Sequence, residues 1–142
     1  MVITRENNSA YWALRLALGL VPLIAGIDKF LNYMVDWSRY LNRNILDVIP
    51  INASSFLHIV GAWEIIIGLA VLLGATRSFG YIAMLWFWAV TIDLLSIGRY
   101  FDLALFEAGL SLGAFSLARL TAARSSVVLI REVEPQYPRR VA

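Results

Sequence analysis

Four apolar segments, residues 10–31, 55–74, 79–97 and 103–121, each approach the roughly 20 residues a helix needs to cross a hydrocarbon core of about 30 Å. The connections between them are unequal. Residues 32–54 form a long one, whereas 75–78 and 98–102 leave room only for tight turns, so consecutive helices must run antiparallel and pack side by side. The expected architecture is an all-α membrane protein, an antiparallel bundle of four transmembrane helices forming a single domain. Composition points the same way: 60% of the 142 residues are hydrophobic and 15% charged, too apolar for a soluble domain of this size. Met1 leads into the first segment with no small-residue cleavage site after it, and an uncleaved first span is expected.

The same composition removes whole classes of chemistry. With no cysteine, disulfides, iron–sulfur clusters and thiol redox chemistry are excluded from this polypeptide. With His58 as the single histidine, two-histidine haem ligation within the chain is impossible, and no metal site is expected. The formal charge of +2 is small and the basic residues gather near the ends of the spans, so no nucleic-acid partner is expected.

Two stretches outside the spans have patterns of their own. In the long connection Met34, Trp37, Leu41, Ile45 and Val48 recur at helical spacing, which predicts an interfacial amphipathic helix between the first and second spans. It reads either as a membrane-surface connector or as a lid over the mouth of the bundle. Asn52 follows as a capping residue for the second span. Beyond the fourth span, residues 122–142 are expected to be a C-terminal tail. Its 125–133 portion is β-prone, suited to a short strand or to no fixed structure, and its 134–140 portion cannot continue a helix.

Charges within the spans are costly and therefore informative. A carboxylate at mid-depth costs at least roughly 2.5 kcal/mol, so Glu64 in the second span must have a partner or a task. Asp28, Asp93 and Glu107 fall in the same half of the bundle, with Lys29, Arg99 and His58 as available counter-charges. The other half carries only Arg15 and Arg119, each close enough to an interface to snorkel. Faces of small residues favour convergence of the helices: Gly61, Glu64 and Gly68 on the second span, and Gly19, Pro22, Gly26 and Lys29 on the first, where Pro22 is expected to kink the helix. Ala104, Glu107, Ser111, Ala114 and Ala118 line one face of the fourth. The cluster reads in two ways. Its ion pairs could serve only to fix helix register, or it could form a polar pocket in which carboxylates exchange protons with, or bind, a quinol, a lipid or an ion. Trp63, Trp86, Phe87, Trp88, Tyr100 and Phe101 are candidate walls of an apolar slot.

The run from Leu14 to Val21, followed by Gly26-Ile27-Asp28-Lys29-Phe30 and Gly61-Ala62-Trp63-Glu64, resembles the DoxX family of small four-helix membrane proteins. Asp102 to Leu110 is similar to that family's last span. The resemblance implies a bacterial or archaeal cytoplasmic (inner) membrane protein linked to electron transport through quinones, with Asp28, Lys29 and Glu64 as matching positions. The expected role is an accessory, non-catalytic subunit of a quinone-linked oxidoreductase complex, in contact with lipids and other membrane subunits. No intrinsic cofactor is expected, quinone or lipid being the candidate occupants. A stand-alone carrier for a small molecule or ion, and an assembly factor whose buried charges only fix helix packing, are the alternatives.

Arg5, Arg15, Arg77, Arg119, Arg124 and Arg131 lie towards one side of the membrane, and Lys29, Arg39, Arg43 and Arg99 towards the other. The positive-inside rule then makes both termini cytoplasmic. Reporters active only in the cytoplasm, fused at either terminus, should both be active, and a reporter inserted within 42–48 should be silent.

Overall fold

The computed structural model describes the backbone of residues 5–133 and the side chains of 8–125. Five α-helices follow in order: α1 (Arg5–Leu31), α2 (Arg43–Val48), α3 (Ala53–Leu73), α4 (Thr76–Ile97) and α5 (Phe101–Val133), with a single 3-10 turn at Trp37–Tyr40. No strand occurs among the described residues. Four of these helices are long and apolar enough to cross a membrane, over Asn8–Leu31, Ala53–Leu73, Thr76–Ile97 and Phe101–Ser125.

Local chemistry sets where the helices stop. Asn52 caps α3 by accepting from the Ser55 amide at 2.8 Å. Gly74 ends α3 at φ 115° and Gly98 ends α4 at φ 75°, left-handed conformations that cost a β-carbon heavily. These two positions allow each helix to double back within a few residues.

The bundle consists of two close pairs. α1 packs on α3 and α4 on α5, each antiparallel, and the pairs meet one another over less surface. Glycine explains the first pair. A β-carbon on Gly26 would lie 2.6 Å from the Gly61 carbonyl oxygen, and one on Gly68 would lie 2.6 Å from that of Gly19. The backbones of α1 and α3 therefore touch at two points seven residues apart on both helices. Without a hydrophobic driving force inside lipid, such close backbone contact is a principal source of helix association. In the second pair Gly80 takes the same part against Ala118, and Ser111 donates to the Met84 carbonyl at 2.9 Å. Tyr11, Leu18, Ile67, Val71, Phe87 and Leu117 fill the bundle between the pairs.

At the end where α3 finishes, Arg15 turns to the backbone of that helix. Its guanidinium donates to the carbonyls of Val71 at 3.1 Å and Leu72 at 2.7 Å, in the last turn of α3, and lies 4.7 Å from the centre of the Trp12 ring. Carbonyls at a helix end lack intrahelical donors, and a cation there also suits the helix dipole, so Arg15 caps α3.

Two segments differ from the sequence reading. The stripe from Met34 to Val48 is not one helix: Asp36 caps the 3-10 turn, Asn42 caps α2, and Leu41 between them is extended. Each cap starts a new short helix where the periodicity alone suggests a continuous one. Likewise 125–133 is neither strand nor irregular but continues α5 to Val133. A lone strand there would have had nothing to pair with, while a helix already under way needs no nucleus. Residues 134–142 lie outside the described residues.

Gly68→Val should unfold at a distinctly lower temperature in detergent, since overpacking costs about 1–3 kcal/mol even where neighbours can shift, and here the neighbour is backbone. Gly109 faces open space, so Gly109→Ala should hold or raise the melting temperature through helix propensity.

Candidate functional site

The element Gly26-Ile27-Asp28-Lys29-Phe30 resolves into four separate tasks. Gly26 provides the backbone contact with Gly61. Asp28, buried, turns its carboxylate to the chain that follows α1, accepting from the amides of Tyr33, Met34 and Val35 and from the Trp37 indole at 2.8–3.1 Å. Lys29 points inward, and its ammonium meets Glu64 Oε2 at 2.6 Å. Phe30 stacks on His58, ring centres 4.8 Å apart and nearly parallel.

The tasks of Asp28 and Lys29 converge on Trp37. With its indole N–H held by Asp28, the ring is fixed over the Lys29 ammonium, 3.6 Å from the ring centre. Lys29 is thus enclosed by a carboxylate on one side and an aromatic face on the other, a cation–π arrangement that gains strength away from water. Both charges of the pair are nearly inaccessible to solvent. In such a setting the pair is worth keeping mainly because losing either member would leave the other uncompensated.

Above the apolar filling the two helix pairs part, leaving a cavity of about 400 Å³. Lys29 and Glu64 lie on its α1–α3 wall, Trp86, Phe87 and Asp93 on α4, and Phe106 and Glu107 on α5. The long connection covers part of it, for Trp37, Tyr40, Leu41 and Ile45 all line it. Met34 and Val48, the outer members of the same stripe, are exposed. The segment is pinned across the helix ends: Asn42 donates to Asp93 Oδ1 at 3.0 Å and to Ser96 Oγ at 2.7 Å, and the Tyr100 hydroxyl donates to the Arg39 carbonyl at 3.0 Å. Hydrogen bonds from Ser38 to Asp36 hold that exposed carboxyl below the usual range. The cap it makes on the 3-10 turn therefore persists at neutral pH and is lost only as pH falls through that lowered value.

Charge in the cavity is unbalanced. Three carboxyl groups, Glu64, Asp93 and Glu107, face one ammonium, Lys29, which is already paired. Asp93 receives Asn42, but Glu107 has no hydrogen-bond or ion-pair partner among the described residues, although it is only partly accessible. The structure therefore brings Glu64, Lys29, Asp93 and Glu107 to one cavity. It leaves Asp28 beneath the covering segment, His58 against Phe30 and Arg99 exposed at the α4–α5 turn. Of the candidate slot residues Trp86 and Phe87 line the cavity, while Trp63, Trp88 and Phe101 turn outward.

The profile of the DoxX family matches residues 10–97, more than half of the chain and all of the α1–α3 wall. The chain belongs to the DoxX family. No curated protein and no solved structure matches it. The DoxX match stops at the end of α4, so Glu107 and the rest of the α5 wall are placed by geometry alone.

The participants that sequence reasoning missed are Trp37, Tyr40, Leu41 and Ile45 as cavity walls. The helical spacing of Trp37, Leu41 and Ile45 was visible, whereas Tyr40 lay outside that stripe, and which way the segment faced depends on the Asp28 and Asn42 hydrogen bonds.

Lys29→Met should destabilise the protein by about 3–5 kcal/mol, because it strands the Glu64 carboxylate. Adding Glu64→Leu should recover most of that loss. A thermal-denaturation double-mutant cycle checks both values, and a double variant as unstable as Lys29→Met would contradict the pairing.

Proposed function

We propose that this DoxX protein is an accessory, non-catalytic subunit of a quinone-linked electron-transfer complex in a bacterial or archaeal cytoplasmic membrane, and that its cavity holds the head of a quinol. The observation that carries this reading is Glu107: a carboxyl facing a largely apolar, aromatic-walled cavity with no hydrogen-bond or ion-pair partner among the described residues. Fixing helix register accounts for Lys29 and Glu64, but a structural role leaves Glu107 unexplained. A hydroxyl donated by a bound ring would satisfy it, while Trp86 and Phe87 flank a flat ring and the Lys29–Glu64 pair meets its other polar edge. The volume lies within the range of roughly 300–1,000 Å³ usual for small-molecule sites.

The apolar filling beneath the cavity supports binding over conduction. Ile67, Val71, Leu117 and Ala114 have no accessible surface and separate the cavity from Arg15, so the cavity is blind at that end. A carrier would need a polar route through this layer.

A short-chain ubiquinol analogue titrated into the protein in nanodiscs should quench tryptophan fluorescence saturably. Trp37→Phe and Trp86→Phe should each remove part of the saturable quenching, since these two line the cavity while Trp12, Trp63 and Trp88 face outward and are quenched only by collision. Glu107→Gln should weaken binding about tenfold, the loss of one hydrogen bond to a charged group, without lowering the melting temperature. Quenching that never saturates, and that these substitutions leave unaltered, would refute the quinol reading.

A further inference from the structure

A second cavity, of about 440 Å³, lies on the surface beside the covering segment, between that segment and the α4–α5 turn. Arg39 and Arg43 line it from the segment and Arg99 from the turn, with Asn44 and Tyr100 between them. No carboxylate lines it. Arg39 gives only its Nε to Asp36, at 3.1 Å, which leaves its terminal nitrogens available, and Arg43 and Arg99 have no hydrogen-bond or ion-pair partner among the described residues. Two guanidinium groups without a counter-charge among the described residues, and a third with free terminal nitrogens, thus meet at one concave site, an arrangement that an anion shared between them would stabilise.

We propose that this basic cavity binds a phosphate group, and that the phosphate belongs to the headgroup of an anionic phospholipid. Guanidinium groups match phosphate oxygens in geometry, and several can share one phosphate through paired N–H donors. The level of the site favours a lipid as the source. It sits where two candidate spans end, Thr76–Ile97 and Phe101–Ser125, with Tyr40 and Tyr100 at the same end, 4.8 Å apart between ring centres. Aromatic residues beside basic ones at that depth are the usual surroundings of a headgroup.

The placement gives the phosphate a consequence. Arg39 and Arg43 belong to the segment that covers the inner cavity, and Leu41 between them lines both cavities. A phosphate shared with Arg99 ties this segment to the α4–α5 turn, adding to the bonds from Asn42 and Tyr100. The headgroup thereby fixes the segment that partly covers the inner cavity. It also gives a reason for arginines on the side of the bundle where the charge rule places few.

The test compares wild type with Arg43→Gln/Arg99→Gln; both residues are exposed, so the variant should fold with an unchanged circular dichroism spectrum. Each protein is delipidated in neutral detergent and titrated separately with phosphatidylglycerol, phosphatidylcholine and inorganic phosphate. Native mass spectrometry reads the bound mass and Trp37 emission reads the covering segment. The expected result is phosphatidylglycerol binding to wild type at least tenfold tighter than to the variant, with a Trp37 shift only in wild type. Tight binding of inorganic phosphate, equally lost in the variant, would keep the phosphate site but overturn the lipid as its source. Equal phosphatidylglycerol binding by both proteins, or no preference over phosphatidylcholine and no phosphate binding, would overturn the proposal.

Discussion

The approach of α1 to α3 is the constraint on which the other features rest. Gly19 against Gly68 and Gly26 against Gly61 bring two backbones into contact, and that contact fixes both the separation and the register of the helices. Lys29, one turn to one side of the Gly26–Gly61 contact with its β-carbon against Gly61, then reaches back along α3 to Glu64, one turn to the other side, and meets it directly. Had larger residues held the helices further apart, a lysine and a glutamate in an apolar span would each have been a net cost. The order of causes therefore runs from small residues to proximity, and from proximity to a tolerable buried charge. Asp28 extends the sequence outward: immediately before the lysine, it collects the chain leaving α1 and sets Trp37 above the ammonium. Four consecutive interactions, backbone, ion pair, cation–π and hydrogen bond, come from five adjacent residues.

Much of this was legible beforehand, for definite reasons. Span lengths and short turns determine an antiparallel four-helix bundle, because no other packing satisfies a backbone in lipid with so little connecting chain. The glycine faces on the first two spans could be read from helical spacing, as could the cost of leaving Glu64 unpaired. What remained hidden depended on hydrogen bonds that cross long stretches of sequence. Asn42 reaches Asp93 and Ser96, and nothing in the neighbourhood of Asn42 announces that. The same holds for Arg15, whose distance from an interface suggested one role while the carbonyls of α3 supply another. His58 and Arg99 were gathered into one cluster by depth alone. Depth does not specify a face, and the structure turns them away from the cavity. The stretch 125–133 misled in a different way, since β-branched residues appended to an established helix extend it at little cost.

The distribution of polar groups separates structure from chemistry within a single site. Lys29 and Glu64 complete each other, and Asp28 is saturated by four donors. Glu107, on the helix beyond the DoxX match, has no hydrogen-bond or ion-pair partner among the described residues. The lining of the cavity therefore combines walls from the family's matched residues with an acid contributed by α5.

The division into two close pairs has a mechanical corollary. Within each pair, glycine or alanine contacts leave no slack, whereas the seam between the pairs is filled by side chains and opens into the cavity. The pairs are joined covalently by the short turn at Gly74 and, at the far end, only by hydrogen bonds, from Asn42 in the α1–α3 connection to Asp93 and Ser96 of α4. A bundle built this way resembles a clamshell, with its hinge at the Gly74 turn and its clasp at Asn42. Spreading along that seam would leave intact the glycine contacts and the register that keep its buried charges paired.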